Sequence, residues 1–244
     1  MPKTSKTFQS SLDRSMVKAL LFDIDGTLSD SDDEMVASIY ARVAWLTPLF
    51  KKENLHRFVR KTVHFFQAPV NRFLAFLDHI GIDSHLARFL DYRASKKEAL
   101  PEDFPIIPGV RSMLEALKGH YPFAVVSARN KVTVQKFLRV NDLEDYFQIV
   151  ISSQTCEKTK PFADPLLHAA EELDVPIENC LMIGDTLTDV RAALAAGAQS
   201  LSVLCGFGTE KELQKSGTHH ILQSTSELAN YLNCELSTLD KKDA

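Results

Sequence analysis

No stretch of this 244-residue chain is apolar for long enough to cross a bilayer, which argues against a membrane-spanning protein. No basic run stands out either. Lysine and arginine number 28 against 32 aspartates and glutamates, a net charge of −4, so wholesale binding to nucleic acid or to an acidic membrane is not expected. Cysteine is scarce. The four residues, Cys156, Cys180, Cys205 and Cys234, are scattered with no CxxC or His/Cys zinc spacing. A zinc ribbon or a disulfide scaffold is thereby excluded, and reduced thiols in a cytoplasmic protein are expected. The opening "MPKTSKTFQSSLDRS" lacks an apolar signal core and reads as a disordered polar arm over residues 1–15. There is no internal repeat and no low-complexity segment beyond the polar ends. What is present is a globular balance, 45% apolar and 25% charged, in a chain long enough for one large domain or a domain with an insert.

Short apolar runs recur along the chain. Val17–Phe22, "FAVVSA" (Phe123–Ala128), "FQIVISS" (Phe147–Ser153), "CLMIGD" (Cys180–Asp185) and "SLSVLC" (Ser200–Cys205) read as buried strands. Between them "GVRSMLEALKGH", "NKVTVQKFLRV", "DPLLHAAEELD" and "TDVRAALAAGA" carry helical patterns. Strand alternating with helix implies an α/β fold, a Rossmann-like parallel sheet with helices on both faces. Ligands of such sheets sit beyond the carboxyl ends of the strands. Asp23, Ser127 and Asp185 all fall at such ends.

Residues 31–105 break the alternation and read as successive amphipathic helices. "PEDFPIIPGV", with three prolines, marks the return. The expected organisation is a catalytic core from 16–30 and 106–244, with an inserted α-helical cap at 31–105 that acts as a lid over the rim.

"DIDGT" places Asp23 and Asp25 two positions apart at the end of an apolar run. Like charges so close repel, and each is costly to desolvate. An Asp-Gly turn explains such a pair on its own. "GDTLTD", however, adds Asp185 and Asp189 at the end of another strand, and oxygen-only ligands suit Mg²⁺ better than zinc. Asp189 alone reads equally as a helix N-terminal charge, Lys160 in "KTKPFADP" as a solvated loop cation, and Ser127 as a helix N-cap. Together they supply what phosphoryl transfer needs: a hydroxyl and helix-terminal amides for phosphoryl oxygens, and a cation for developing charge.

With "DIDGT" at Asp23–Thr27, "VVSAR" around Ser127, "KPFADP" from Lys160 and "GDTLTD" at Asp185–Asp189 in order, the sequence resembles the haloacid dehalogenase superfamily of phosphohydrolases. The resemblance covers roughly residues 17–230, including the helical cap, and the stretch from "GFGTEKELQ" is similar to the tail of the phosphoglycolate phosphatase subgroup. It implies that Asp23 attacks phosphorus to form an aspartyl-phosphate. Asp25 would protonate the leaving alcohol and then deprotonate the hydrolytic water. Mg²⁺ would bind Asp23, the backbone carbonyl of Asp25, and Asp185, with Asp189 supporting the metal or Lys160. Ser127 would hydrogen-bond a phosphoryl oxygen, and Lys160 would neutralise charge beside Asp23. Gly26, Thr27, Ser127, Ala128, Arg129 and Lys160 would line the phosphoryl-binding pocket.

The implied function is Mg²⁺-dependent hydrolysis of a small phosphorylated metabolite, phosphoglycolate being the first to try. A phosphomutase of the beta-phosphoglucomutase type shares both aspartates and is the nearest alternative. A catalytically silent binding protein on the same fold is a further one, against which the intact Asp23, Asp25, Lys160 and Asp185 argue. His64, His79, His85 and Trp45 read as cap surface or packing. His219 and His220 look like a metal pair but lack acidic companions. Arg57, Arg60, Lys61 and Arg72 read as solvated helix faces, from which one arginine could reach an anionic substrate. Oligomeric state is not legible.

Overall fold

The computed structural model describes residues 11–30 and 105–232. The chain divides into two units, residues 1–29 with 104–244, and residues 30–103. The expected helical cap, with Trp45, the cap histidines and the cap arginines, falls outside the described residues.

The core is a six-stranded, all-parallel sheet in the order β3-β2-β1-β4-β5-β6. The strands are β1 (Ala19–Phe22), β2 (Phe123–Val126), β3 (Ile149–Ile151), β4 (Cys180–Gly184), β5 (Gln199–Val203) and β6 (His220–Leu222). The helices are α1 (Val110–Leu117), α2 (Lys131–Val140), α3 (Asp164–Glu172), α4 (Leu187–Ala196), α5 (Glu210–Ser216) and α6 (Leu228–Tyr231). The expected Rossmann-like alternation is therefore present. The strands are shorter than their apolar runs, because residues such as Asp23, Ser127 and Asp185 turn away as the ladder ends. Neither α5 nor α6 was read from the sequence, since short half-polar segments carry little periodicity.

Alternation along the strands builds two cores. Leu20, Phe22, Phe123, Val125, Leu181 and Ile183 face one side, while Ala19, Leu21, Ala124, Val126, Cys180 and Met182 face the other. A period of two on a sheet covered on both faces requires this. Phe22 packs edge-on against Phe123 at 5.6 Å and Phe147 at 6.0 Å, so the strand that ends in Asp23 is braced by aromatic contacts. Small residues on α4, Ala192 and Ala193, lie fully buried in the second core, letting that helix approach β4 and β5 closely.

The strand order reverses between β1 and β4, which pair directly with Phe22 opposite Ile183. This switch point is where the carboxyl ends of a doubly wound sheet open a crevice. Asp23 and Asp185 are the residues that follow β1 and β4 there.

Residues 12–15, expected to belong to the disordered arm, instead make defined contacts. Leu12 is buried, Asp13 caps the 3-10 turn Arg14–Met16, and its amide donates to Gln199 Oε1 at 2.7 Å. Arg14 Nη1 donates to the carbonyl of Tyr231 at 2.8 Å. Among the described residues, no helix is long and apolar enough to cross a membrane.

Candidate active site

Asp23 is buried at the end of β1, where its amide donates to the Ile183 carbonyl at 3.0 Å. Burial drives its carboxyl up to about 7; Lys160 opposes that shift, while Asp189 and Asp25 add to it. Lys160 answers the buried charge. Its Nζ lies 2.8 Å from Asp23 Oδ1 and 2.7 Å from Asp189 Oδ1. Burial by itself would lower the lysine's pKa, but Asp189 and Asp23 reverse the effect and hold the ammonium charged. With the lysine side chain only 4% exposed, its charge serves the interior carboxylates and not bulk water.

Asp189 is fixed from both ends. Its Oδ1 takes the lysine, and its Oδ2 accepts from the Thr186 amide at 3.0 Å and hydroxyl at 2.6 Å. Thr186 and Asp189 thus form the capping box of α4, satisfying first-turn amides that no helix bonds internally. Both readings of Asp189, helix cap and partner of Lys160, describe the same side chain. Gly184 is required behind it, because a Cβ there would meet Asp189 Cβ at 2.5 Å.

Asp185 is fully buried, and its Oδ2 accepts from the Phe207 amide at 2.7 Å. Two glycines press against this carboxylate. A Cβ on Gly26 would come within 2.7 Å of Asp185 Cγ, and one on Gly206 within 2.6 Å. Gly26 also has φ of +67°, a conformation open mainly to glycine. Gly206 and Phe207 were missed by sequence reasoning. The signal was available in "CGFG" after β5, since glycines at the carboxyl end of a strand mark close backbone approach.

Carboxylate oxygens of Asp23, Asp185 and Asp189 lie within 4.8 Å of one another. An all-oxygen, buried, anionic donor set with no room for a side chain beside it fits a small hard cation such as Mg²⁺. The side chain of Asp25 points elsewhere. Arg129 Nε donates to its Oδ2 at 2.8 Å, and Arg129 Nη2 pairs with its Oδ1. The two aspartates of "DIDGT" are therefore separated chemically, each with its own cation. That pairing was not read from the sequence.

Ser127 is buried after β2, but it does not cap α2. Asn130 does so, with its Oδ1 accepting from the Thr133 amide at 2.9 Å. Ser127 Oγ instead accepts from the Arg129 amide at 3.2 Å, which leaves the hydroxyl proton for a further acceptor. Thr27 is fully buried, and its Oγ1 has no hydrogen-bond partner among the described residues. Its carbonyl accepts from Thr225 Oγ1 at 2.6 Å. Asp23, Asp25, Gly26, Ser127, Arg129, Lys160, Asp185 and Asp189 thus converge through the contacts above on one end of the sheet. His219 and His220 are occupied structurally: His219 Nδ1 accepts from the Ser200 amide at 3.0 Å, and His220 stacks on Tyr231 at 4.2 Å.

Comparison with known proteins agrees with this arrangement. Residues 20–203 match the family model described as haloacid dehalogenase-like hydrolase. A phosphoglycolate phosphatase of Nitrosospira multiformis is 31% identical over 218 residues, covering 86% of this chain and 93% of that protein. The pyrophosphatase PpaX of Bacillus mycoides is 22% identical, covering 89% and 97%. Among solved structures, a putative beta-phosphoglucomutase from Thermotoga maritima has a TM-score of 0.62 at 26% identity, covering 89% and 99%. A predicted phosphatase from Clostridium acetobutylicum, at 24% identity and a TM-score of 0.64, covers 89% and 98% and shares the fold. With its family model running from β1 to β5 and over all four motifs, the chain belongs to the haloacid dehalogenase-like hydrolases.

Proposed function

We propose that the protein is a Mg²⁺-dependent phosphatase that hydrolyses a small phosphomonoester through an aspartyl-phosphate on Asp23. The observation that carries this reading is the division of labour between the two aspartates. Asp23 is buried against Lys160, whereas Asp25 is partly open and paired with Arg129. A nucleophile needs a fixed, desolvated oxygen, and an acid–base group needs access to the leaving oxygen and to water.

In this reading Asp23 attacks phosphorus while Asp25 gives a proton to the departing alcohol. Asp25 then takes a proton from the water that cleaves the acyl-phosphate. Lys160 neutralises charge at Asp23 and holds it in place through the Asp189 brace. The Ser127 hydroxyl, with its proton unspent, donates to a phosphoryl oxygen. Asp23, Asp185 and the backbone carbonyl of Asp25 would hold Mg²⁺, which supplies positive charge to the phosphoryl oxygens. Phosphoglycolate is the first substrate to test, because it is the substrate named for relatives at 31% and 30% identity. The mutase alternative has the support of one structural neighbour at 26% identity.

The test is a screen of phosphorylated metabolites for inorganic phosphate release, with and without EDTA, using the purified full chain. Metal-dependent release from 2-phosphoglycolate is expected. Interconversion of a sugar monophosphate without net phosphate release, primed by a bisphosphate, would favour the mutase. No turnover of any ester would leave the silent binding protein.

A further inference from the structure

We propose that Arg129 is a specificity-determining latch on Asp25, opened by substrates that carry a second anionic group a few bonds from the ester oxygen. The inference rests on the hydrolase reading above. The backbone of Arg129 is tied at both ends: its amide donates to Ser127 Oγ at 3.2 Å, and its carbonyl accepts from the Ser153 amide at 3.0 Å. From that fixed base the guanidinium spans to Asp25 and engages both carboxylate oxygens.

Of the two cations that meet the carboxylates of "DIDGT", only Arg129 faces outward. Lys160 is 4% exposed and shared by Asp23 and Asp189, whereas Arg129 and Asp25 are 20% and 33% exposed. The arginine pair is therefore the more accessible of the two to a group on the substrate beyond the phosphoryl. At this exposure a well-placed anion of the substrate can compete with Asp25 for the fork. The planar guanidinium fork is matched to any group with two coplanar anionic oxygens. A carboxylate or second phosphate on the substrate offers the same acceptor geometry as Asp25 and competes for the fork.

While both Asp25 oxygens accept from Arg129, the carboxyl is held as an anion with no proton for a leaving oxygen. A substrate anion that takes the guanidinium frees Asp25 to take up a proton from solvent, the proton it then gives to the leaving oxygen. A neutral leaving group does not. Contact between Arg129 and Asp25 also sets the reach. Asp25 serves the ester oxygen, so the recognised anion lies close to it, as in an α-carboxylate ester or a phosphoanhydride, and not at the far end of a long sugar phosphate.

The test compares 2-phosphoglycolate, inorganic pyrophosphate and ethyl phosphate on wild type, Arg129→Gln and Arg129→Lys, resolving kcat and KM. Removing the fork should change the classes in opposite directions. The anionic substrates lose on the order of tenfold or more in kcat/KM, the scale of one charge-assisted hydrogen-bond pair. Ethyl phosphate gains about two- to fivefold in kcat, the scale of a weak ion pair no longer opposed. Arg129→Lys recovers part of the discrimination. The larger of the two anionic losses assigns carboxylate or phosphate. A variant that merely misfolds loses all three substrates in parallel. As a second line, Asp25→Asn frees the fork and should tighten binding of 2-phosphoglycolate, a gain erased by adding Arg129→Gln. Parallel losses on all substrates with no such gain in Asp25→Asn would overturn the latch alone. Absence of phosphate release by wild type from all three would overturn the hydrolase reading, and the latch with it.

Discussion

Replacing Lys160 by methionine isolates the electrostatics of the site from its chemistry. Methionine keeps most of the stem and removes one charge that serves two carboxylates, at 2.8 Å from Asp23 and 2.7 Å from Asp189. All three side chains are at most 10% exposed, so solvent does little to replace the lost cation. Removing one partner of a buried pair costs about 3–5 kcal/mol. In a unit of this size that corresponds to a fall in Tm of roughly 6–20 °C. The sign of the pH dependence follows from Asp23. Its folded value, pushed up to about 7, lies above the ordinary 3.8. Between these values the folded state binds more protons than the unfolded state, so stability from this group falls as pH rises through the window. Without Lys160 the group is held up further, and the window extends upward. The variant's deficit should therefore grow as pH rises through 7 to 8, where wild-type Asp23 ionises beside Lys160, and fall towards pH 5 to the part owed to Asp189. Thermal and urea unfolding in EDTA measure this directly. A variant within about 1 kcal/mol of wild type at pH 7 would refute the reasoning, as would a deficit independent of pH.

Asp23→Asn should abolish phosphate release while leaving the urea midpoint unchanged or raised, since the amide is a poor nucleophile but removes a buried charge; turnover at the wild-type rate would exclude an aspartyl-phosphate. Activity should require Mg²⁺ and be poorly supported by Ca²⁺, whose longer bonds misplace the reacting oxygens; titrating Asp185→Asn with Mg²⁺ should give a sharply raised requirement or no activity, and full activity in EDTA would end the metal assignment. Gly206→Ala drives a Cβ to 2.6 Å from both Asp185 Cγ and the Gly26 carbonyl and should cost about 1–3 kcal/mol. The same variant should bind Mg²⁺ more weakly by calorimetry, and wild-type affinity would show that Asp185 tolerates displacement.

What was legible in the sequence was what strand ends make legible. Asp23, Ser127 and Asp185 each follow an apolar run, and a parallel sheet necessarily brings such residues to one end. The sheet order was less accessible, because nothing in an apolar run says which neighbour it takes. Residue roles that depend on side-chain reach were hidden for the same reason. Arg129 and Asp25 stand 104 positions apart, and only the adjacency of β1 and β2 lets them meet. Ser127 looked like the cap of α2, yet Asn130, three residues on, holds the Thr133 amide. Cap residues compete locally, and the winner depends on where the last strand residue stops. The contribution of the loop after β5 was marked only by its glycines. "CGFG" carries no charge, but its backbone supplies the amide that holds Asp185.

The carboxylate pair that makes "DIDGT" costly on paper is resolved by a pattern that spans four motifs. Asp23 and Asp189 share Lys160, Asp25 has Arg129, and Asp185 has the Phe207 amide. Four carboxylates against two cations leave a formal excess of two negative charges among these groups. Buried charge of that size is not sustained by amides alone. It is the charge of one divalent cation, and it is concentrated at Asp23 and Asp185, on the side of the site where the glycines leave no side chain in the way. The placement also explains why the two rim cations differ. Lys160, enclosed, opposes the burial that pushes Asp23 up to about 7 and holds its carboxylate in place. Arg129, 20% exposed, pairs with Asp25 at the edge that the proposed latch would open.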